Sequence, residues 1–279
     1  MKVLKVLVLI VVMVFGFSIT SSYAEEAKKA EEAKVTGSAS VGAFNRYIFR
    51  GYEIGSHSLV VQPAVTLTYK GFSAGFWSNI DSNEHRTQSF VPDKAGHKSF
   101  NETDLTLIYT CSIEKLSLTA GYIYYAMKYN SPPGDTEEVF LSASYDVITK
   151  PTLAVYRDIT SYPGTYVNFS LSHSVPVYKK ITLDLGASAG YFMGSDDYWK
   201  TYESSTGAYT GKKYSGLHDG MVKAGFTIPI AKNVSVQPLV QYWFPLSSNA
   251  KESVSGNSYN PNGKLDETLV TGINLTLSF

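Results

Sequence analysis

Apolar and polar residues alternate with a period of two along most of this 279-residue chain. The alternation is clear over 165–175, 181–193, 217–229 and 266–279. It predicts β-strands with one apolar and one polar face, because successive side chains of a strand point to opposite sides. A soluble sandwich would show the same alternation. The runs extend over about 10–14 residues, which exceeds most strands of globular proteins and suits tilted strands that cross a bilayer.

The pattern predicts twelve strands, and their connections alternate in length. The short connections include 70–71, 112–114 and 148–150, whereas 84–100, 194–215 and 245–265 are long and polar. Short turns at one end and long loops at the other are typical of bacterial outer-membrane barrels. We therefore predict an all-β fold, a transmembrane antiparallel β-barrel over residues 35–279 with both termini on the periplasmic side. The expected strands lie near 36–50, 59–69, 72–83, 101–111, 115–127, 137–147, 151–159, 165–175, 181–193, 217–229, 233–244 and 266–279.

Aromatic residues at outward positions form two groups, one near each end of the predicted strands. Such girdles are expected at the two membrane interfaces, where an amphipathic ring is most stable. The group at the short-turn end is Tyr69, Phe72, Tyr109, Tyr145 and Phe279, and the group at the other end is Tyr47, Phe49, Tyr124, Tyr191, Tyr242 and Phe244.

The N-terminus carries a predicted export signal. Lys2 and Lys5 precede an apolar run from Val6 to Phe17, and small residues flank a cleavage position after Ala24. We interpret residues 1–24 as a signal peptide and residues 25–34 as a charged periplasmic leader. Removal of the signal leaves 22 basic and 24 acidic groups, a net charge of −2. The expected location is the outer membrane.

Composition narrows the classes of function. Balanced charge gives no basic surface for nucleic acid, and the one cysteine cannot form an internal disulfide or a structural zinc cluster. No phosphate-binding loop, haem motif or metal-ligand pattern is present, so we expect no cofactor and no metal. The expected partners are outer-membrane lipids, the barrel-assembly machinery and small solutes.

The last strand ends in an aromatic residue, with apolar residues at alternate positions before it. Assembly machinery that pairs with this strand by β-augmentation would read such a pattern. We hypothesise that the insertion signal consists of Ile273, Leu275, Leu277 and Phe279.

Several segments resemble a family of exported proteobacterial proteins of unknown function. They are residues 40–51, 74–80, 101–105 and 121–125. The family is marked by an R-Y-x-F-R-G segment after the signal peptide, a segment like G-x-W-x-S-N and an acidic E-x-D strand. The resemblance spans roughly residues 36–245 and implies an envelope β-protein, with no known catalytic residue.

Charges of both signs fall on the predicted inward faces. The expected lumen residues are Arg46, Arg50, Asp81, Glu102, Asp104, Glu138, Asp146, Asp184, Lys223, Gln237, Gln241 and Trp243. In one interpretation the two arginines face the acids across a narrow, porin-like channel for small hydrophilic solutes and set its selectivity. In the other, ion pairs plug the lumen, and the barrel is structural or adhesin-like and binds through its long loops. Barrels of about eight strands are filled by side chains, and barrels of 16–18 strands enclose an open channel. A twelve-stranded barrel is intermediate in size, so strand number does not decide between the two interpretations.

A third interpretation is an outer-membrane lipid hydrolase. It would need a histidine and a serine two residues apart on the same outward face, with a polar residue to orient the histidine. His97 and Ser99 have this spacing, and counting back from Leu105 puts them on the outward face, with Asn101 as the orienting residue. Two residues in a serine-rich chain are a weak signal, so we expect no enzymatic activity.

Overall fold

The computed structural model describes residues 34–85, 95–128, 134–195, 199–203, 206, 208–252 and 265–279. The predicted signal peptide and nearly all of the leader lie outside these residues. The described elements, in chain order, are β1 (Thr36–Phe44), β2 (Tyr47–Phe49), β3 (Tyr52–Gly55), β4 (Val60–Tyr69), β5 (Phe72–Asp81), β6 (Ser99–Ile113), β7 (Leu116–Met127), β8 (Thr136–Tyr145), β9 (Thr152–Asp158), β10 (Gly164–Tyr178), β11 (Ile181–Gly194), β12 (Lys200–Tyr202), β13 (Tyr209–Lys213), β14 (Ser215–Pro229), β15 (Val234–Pro245), α1 (Ser248–Glu252) and β16 (Thr268–Ser278).

Twelve of these strands form a closed antiparallel barrel, which confirms the predicted fold. The order around the wall is β1, β4, β5, β6, β7, β8, β9, β10, β11, β14, β15 and β16, and β16 pairs with β1 to close it. The two remaining pairs, β2–β3 and β12–β13, are separate hairpins. At the closure Gly37 and Phe279 exchange two backbone hydrogen bonds of 2.7 and 2.9 Å.

One end of the barrel has tight turns, as predicted. Lys70 and Gly71 connect β4 to β5 with φ of 48° and 84°. Two consecutive positive φ values define the type I′ turn, whose twist matches that of the flanking strands. Hydroxyl pairs such as Thr68 and Ser73, 2.8 Å apart, join the strands beside these turns. We call this the short-turn end and the opposite one the long-loop end.

The wall alternates between an apolar outer face and a mostly polar inner face. On β14, Val222 points outward and is 46% exposed, while Lys223 points inward beside Gly186 of β11. The outward residues of β16 are also exposed; they are Leu269, Ile273, Leu275, Leu277 and the terminal Phe279. Such an apolar belt is expected of a barrel surrounded by lipid. Within the described residues, no helix has the length and apolar character needed to cross a membrane.

The aromatic girdles are only partly as predicted. Most members of both groups are on the outer face, and at the short-turn end the rings of Phe72 and Tyr109 lie 4.6 Å apart. The prediction for Tyr47 and Phe49 is wrong. The first strand ends at Phe44 instead of continuing to residue 50, and the chain then turns into the barrel.

The hydrophobic core of this protein lies inside the barrel. It contains Tyr52, Ile54, Phe192, Trp199 and Tyr214, all at most 5% exposed. Tyr52 and Ile54 belong to β3, Phe192 lies near the end of β11, and Trp199 and Tyr214 flank the β12–β13 hairpin. The core therefore fills the lumen at the long-loop end.

Candidate functional site

A hairpin formed by residues 46–55, which we call the lumen hairpin, occupies the long-loop half of the barrel. It begins where β1 leaves the wall. There the backbone of Asn45 donates to the Thr271 carbonyl at 3.1 Å, and the Thr271 backbone donates to Asn45 Oδ1 at 2.8 Å. Its tip is Arg50–Gly51, with φ of 49° and 79°. This is again a type I′ turn, so Arg50 adopts a left-handed conformation that is uncommon for a residue with a side chain.

The lumen hairpin contacts strands on all sides of the wall. Tyr47 packs on Trp77 of β5, with ring centroids 5.4 Å apart, and its hydroxyl donates to Glu102 Oε1 of β6 at 3.2 Å. Tyr52 packs against His218 of β14, with ring centroids 5.1 Å apart. Because these partners lie on opposite arcs of the barrel, the hairpin spans its cross-section.

Arg50 forms the main polar contact between the hairpin and the far wall. Its Nη1 and Nη2 donate to the two carboxylate oxygens of Glu138 at 2.7 and 2.8 Å, and both side chains are nearly buried. The guanidinium also lies over the rings of Phe49, Tyr156 and Tyr166 at 4.5–4.9 Å. Two-fold hydrogen bonding and aromatic stacking are both characteristic of arginine and not of lysine.

Arg46 has a different role from the one expected. It pairs with Glu53, so both partners belong to the lumen hairpin. The alternation predicts that Arg46 and Arg50 both face acids of the wall. Only Arg50 does so.

The wall around Arg50 contains more acid than base. Glu102 and Asp104 point inward from β6, and Glu138 points inward from β8. Asp158 of β9 joins them and is buried, where it accepts hydrogen bonds from the Thr136 hydroxyl and two backbone amides. The residue pattern of 151–159 alone does not assign Asp158 to either face of its strand.

A cavity of about 50 Å³ lies between the hairpin and this acidic wall, beside the direct contact of Arg50 with Glu138. Its lining includes Arg50, Glu102, Glu138, Asp158 and Trp199.

The short-turn half of the lumen is polar and open to solvent. Its inward residues Ser172, Ser174, Lys223 and Ser278 are exposed even though they face into the barrel. Asp184 lies among them and accepts hydrogen bonds from the Ser174 hydroxyl at 2.6 Å, the Gln237 amide at 3.0 Å and the Thr227 hydroxyl.

The other predicted lumen residues divide into three cases. Gln241 and Trp243 are on the inner face of β15, where the indole donates to the Gln241 amide oxygen at 2.9 Å. Asp81 is inward and fully buried at the end of β5. The prediction for Asp146 is wrong, because β8 ends at Tyr145 and Asp146 is exposed in the following turn.

The proposed hydrolase pair is not on the outer face. A register shift in β6 pairs Asn79 with Glu102 but Ile80 with Phe100, so the two sides of the strand exchange at Asn101. Ser99 is therefore opposite Asp81 and only 8% exposed. The prediction that His97 and Ser99 share an outward face is wrong.

Known proteins resemble this chain in fold and not in sequence. It is similar in structure to the NanC porin, with a TM-score of 0.53 and 9% identity over 86% of this chain and 100% of that one. It is also similar to the KdgM porin, with a TM-score of 0.51 and 10% identity over 87% and 99% of the two chains. No family model matches the chain, and no curated protein matches it in sequence. The protein is thus an outer-membrane-type β-barrel with a porin-like fold.

Proposed function

We propose that the protein is a narrow, porin-like channel for small hydrophilic solutes in the outer membrane, in which the lumen hairpin limits the passage. The observation that carries this proposal is the division of the lumen into two halves. The short-turn half is lined by hydroxyl, amide and charged groups that solvent reaches. The long-loop half is occupied by a hairpin that belongs to the same chain.

In the short-turn half, the inner face supports transport of polar solutes because it offers hydrogen bonds without a large apolar surface. Ring-like arrangements of charge in a pore select ions by sign. In the short-turn half, the ammonium of Lys223 is exposed, whereas the carboxylate of Asp184 is held by four neutral donors. Lys223 therefore supports a preference for anions in this half.

The test is single-channel conductance of the refolded protein in planar bilayers. The wild type should show small but defined steps. A variant in which a short Gly-Ser linker replaces residues 47–54 should conduct several-fold more. The mobility of unheated samples on a denaturing gel should show that both proteins are folded barrels. If the hairpin-less variant conducts no more than the wild type, the hairpin does not limit the passage.

Selectivity is tested by Lys223→Gln, which should reduce the preference for anions in a salt gradient. Lys251→Gln is the matched control, because it removes the same charge from a partly exposed position on α1. If the two variants have the same reversal potential, Lys223 has no part in selectivity.

The second candidate is a plugged barrel that acts through its long loops. The contacts of the lumen hairpin with opposite arcs of the wall favour it, and so does the hydrophobic core in the long-loop half of the lumen. The single-channel recordings described above distinguish the channel from the plugged barrel. Wild-type protein without conductance above the leak, together with a hairpin-less variant that conducts, would favour the plug.

The proposed function also requires a defined location and orientation in the cell envelope. The protein would be exported by its signal peptide and inserted by the barrel-assembly machinery, with both termini in the periplasm and lipid around the apolar belt. Fractionation of the envelope, with protease access to the long loops of intact cells, would test this orientation.

A further inference from the structure

The cavity between the lumen hairpin and the acidic wall, which we call the aromatic cavity, is lined largely by rings. Its described lining includes Phe49, Tyr52, Tyr125, Tyr162, Phe192 and Trp199. All of these except Phe49 are at most 7% exposed. Because the face of an aromatic ring carries partial negative charge, a wall of rings attracts cations as well as apolar groups.

Trp199 is fixed by contacts on several sides. Its ring centroid is 4.3 Å from that of Phe192 and 6.3 Å from that of Tyr52, and its indole N–H donates to the Tyr162 carbonyl at 3.0 Å. The Tyr162 hydroxyl donates to the Gly134 carbonyl at 3.0 Å. The polar atoms of the indole and of this phenol therefore bond to the protein, which leaves ring surface to line the cavity.

The aromatic cavity is also acidic. Glu102, Glu138 and Asp158 belong to its described lining, and Arg50 is the one base in it. Three acids and one base give this lining a formal charge of −2. The charge of Arg50 is directed to Glu138, with which it shares two hydrogen bonds. Negative charge in buried, apolar surroundings favours the binding of a cation.

The hydrogen-bonding capacity of the carboxylates is largely used by the protein. Asp158 accepts from the Thr136 hydroxyl at 2.6 Å and from two backbone amides at 3.0 Å. Glu138 accepts two hydrogen bonds from Arg50 and one from Tyr125. A primary ammonium has three N–H groups that need acceptors. A methylated ammonium needs only negative charge and apolar surface, so it fits this lining better.

The aromatic cavity lies at the long-loop end of the barrel. Its lining includes Met127, the last residue of β7, Thr136, the first of β8, Asp158, the last of β9, and Gly164, the first of β10. In the proposed orientation this end faces the medium, so a ligand would arrive from outside the cell.

We propose that the aromatic cavity binds a small methylated ammonium ion. Aromatic rings recognise such ions by cation–π attraction, and the acids add complementary charge. One water needs about 10–15 Å³ of cavity volume, so the cavity of about 50 Å³ holds a group of about four or five non-hydrogen atoms, the size of trimethylammonium or tetramethylammonium. This site goes beyond the proposed channel, because binding here requires no conduction.

The test is a calorimetric titration of the full refolded barrel with tetramethylammonium chloride at constant ionic strength. A nonionic detergent is required, because zwitterionic detergents can carry the same ammonium group. We expect one saturable site with a Kd on the order of 1 mM, a modest affinity for so small a ligand. tert-Butanol has the same size without the charge and should bind at least about 10-fold more weakly.

Glu102→Gln should weaken binding about 10-fold, because it removes one charge from the lining. The variant keeps an oxygen that can accept from the Tyr47 hydroxyl. Glu137→Gln is the matched control, since Glu137 is the neighbour of Glu138 on β8 and lies on the outer face, opposite Tyr124. Asp158→Asn makes the same comparison if Glu102→Gln does not fold.

The contribution of the rings is tested by two substitutions of Trp199. Trp199→Leu should bind about 3–30-fold more weakly than Trp199→Phe, because only phenylalanine keeps a ring at this position. Both variants lose the hydrogen bond to the Tyr162 carbonyl, so their difference isolates the ring.

Weaker binding by Glu102→Gln and by tert-butanol, with Glu137→Gln like the wild type, would support the proposal. It is overturned if the wild type shows no saturable binding, if tert-butanol binds as tightly as tetramethylammonium, or if Glu102→Gln and Glu137→Gln bind alike. Displacement of the ligand by an equal concentration of K⁺ would also overturn it, because the acids without the rings would then account for binding.

Discussion

Arg50, at the tip of the lumen hairpin, and Glu138, on β8, are paired across the barrel at 2.7 and 2.8 Å although 88 residues separate them in the chain. Around the wall, β8 is five strands from β1 in one direction and seven in the other. The pair therefore connects almost opposite sides of the lumen. Tyr125 donates to the same carboxylate at 2.8 Å, so Glu138 is held from two directions.

Arg50→Gln should release the lumen hairpin and destabilise the barrel. Removal of one partner of a buried ion pair leaves an uncompensated charge and costs about 3–5 kcal/mol. The free energy of unfolding in urea, measured on the refolded barrel, checks this. Arg157→Gln is the control, since Arg157 is exposed on the outer face and bonds only Thr165 among the described residues.

The double variant Arg50→Gln with Glu138→Gln should recover part of that loss, because neither charge then remains buried alone. Equal stability of the single Arg50 variant and the wild type would mean that the ion pair does not hold the hairpin.

Gly272→Ala should destabilise the closure between β1 and β16. A Cβ at Gly272 would lie 2.1 Å from the Phe44 ring and 2.5 Å from the Ala43 carbonyl oxygen. Overpacking of this kind costs about 1–3 kcal/mol. Gly216→Ala on β14 is the matched control because a Cβ there would meet nothing within 4 Å. Thermal or urea unfolding of both variants gives their midpoints. Similar midpoints for Gly272→Ala and Gly216→Ala would contradict the predicted destabilisation.

Two neighbouring substitutions on β14 test which face meets lipid. Val222→Lys puts a charge on the outer face near the middle of the strand, where lysine costs about 2–4 kcal/mol in a membrane barrel. Lys223→Val removes a charge that already faces the lumen and should change stability little. Unfolding in phospholipid bilayers is the measurement. A larger cost for Lys223→Val than for Val222→Lys would reverse the assigned faces.

Phe279→Ala should lower assembly in cells more than stability in vitro. The substitution keeps the backbone hydrogen bonds between residue 279 and Gly37 but removes the terminal aromatic ring. The folded fraction in outer-membrane preparations should fall, while refolding of purified protein continues. Phe72→Ala is the control, because its ring is similarly exposed, 57% against 54%, at the same end. Equal effects of both variants would argue against a terminal insertion signal.

The barrel itself follows from local information in the sequence. Alternation identifies the wall strands because lipid outside and water inside impose a period of two on each strand. Turn positions such as Lys70–Gly71 follow from backbone sterics. The closed order needs only that consecutive strands pair and that the last one meets the first.

The lumen hairpin was missed because it has the same period as the wall. Phe44, Arg46, Ile48 and Arg50 continue the alternation of β1, although the chain has already turned inward after Phe44. Period alone cannot distinguish a strand in the wall from one inside it. The signal available was the tip, where Gly51 follows Arg50 in a turn that a continuous wall strand would not contain.

The position of Ser99 was missed for a related reason. Counting back from Leu105 gives the wrong face, because the register shift near Asn101 adds one residue to β6. A bulge exchanges the two faces of a strand beyond it. The same shift brings Ser99 opposite Asp81, a pairing that no linear motif marks.

The place of the hairpin in the chain has a consequence for the order of assembly. It directly follows β1, so it is synthesised before eleven of the twelve wall strands, and all of its wall partners arrive later. Both of its ends are tethered to adjacent wall strands, β1 and β4. The final pairing of β16 with β1 can occur with the hairpin already inside or still outside. After the barrel has closed, the form with the hairpin inside and the form with the hairpin outside can interconvert only if the hairpin passes through the long-loop end. The hairpin must therefore enter the lumen before β16 pairs with β1, or pass through the long-loop mouth afterwards.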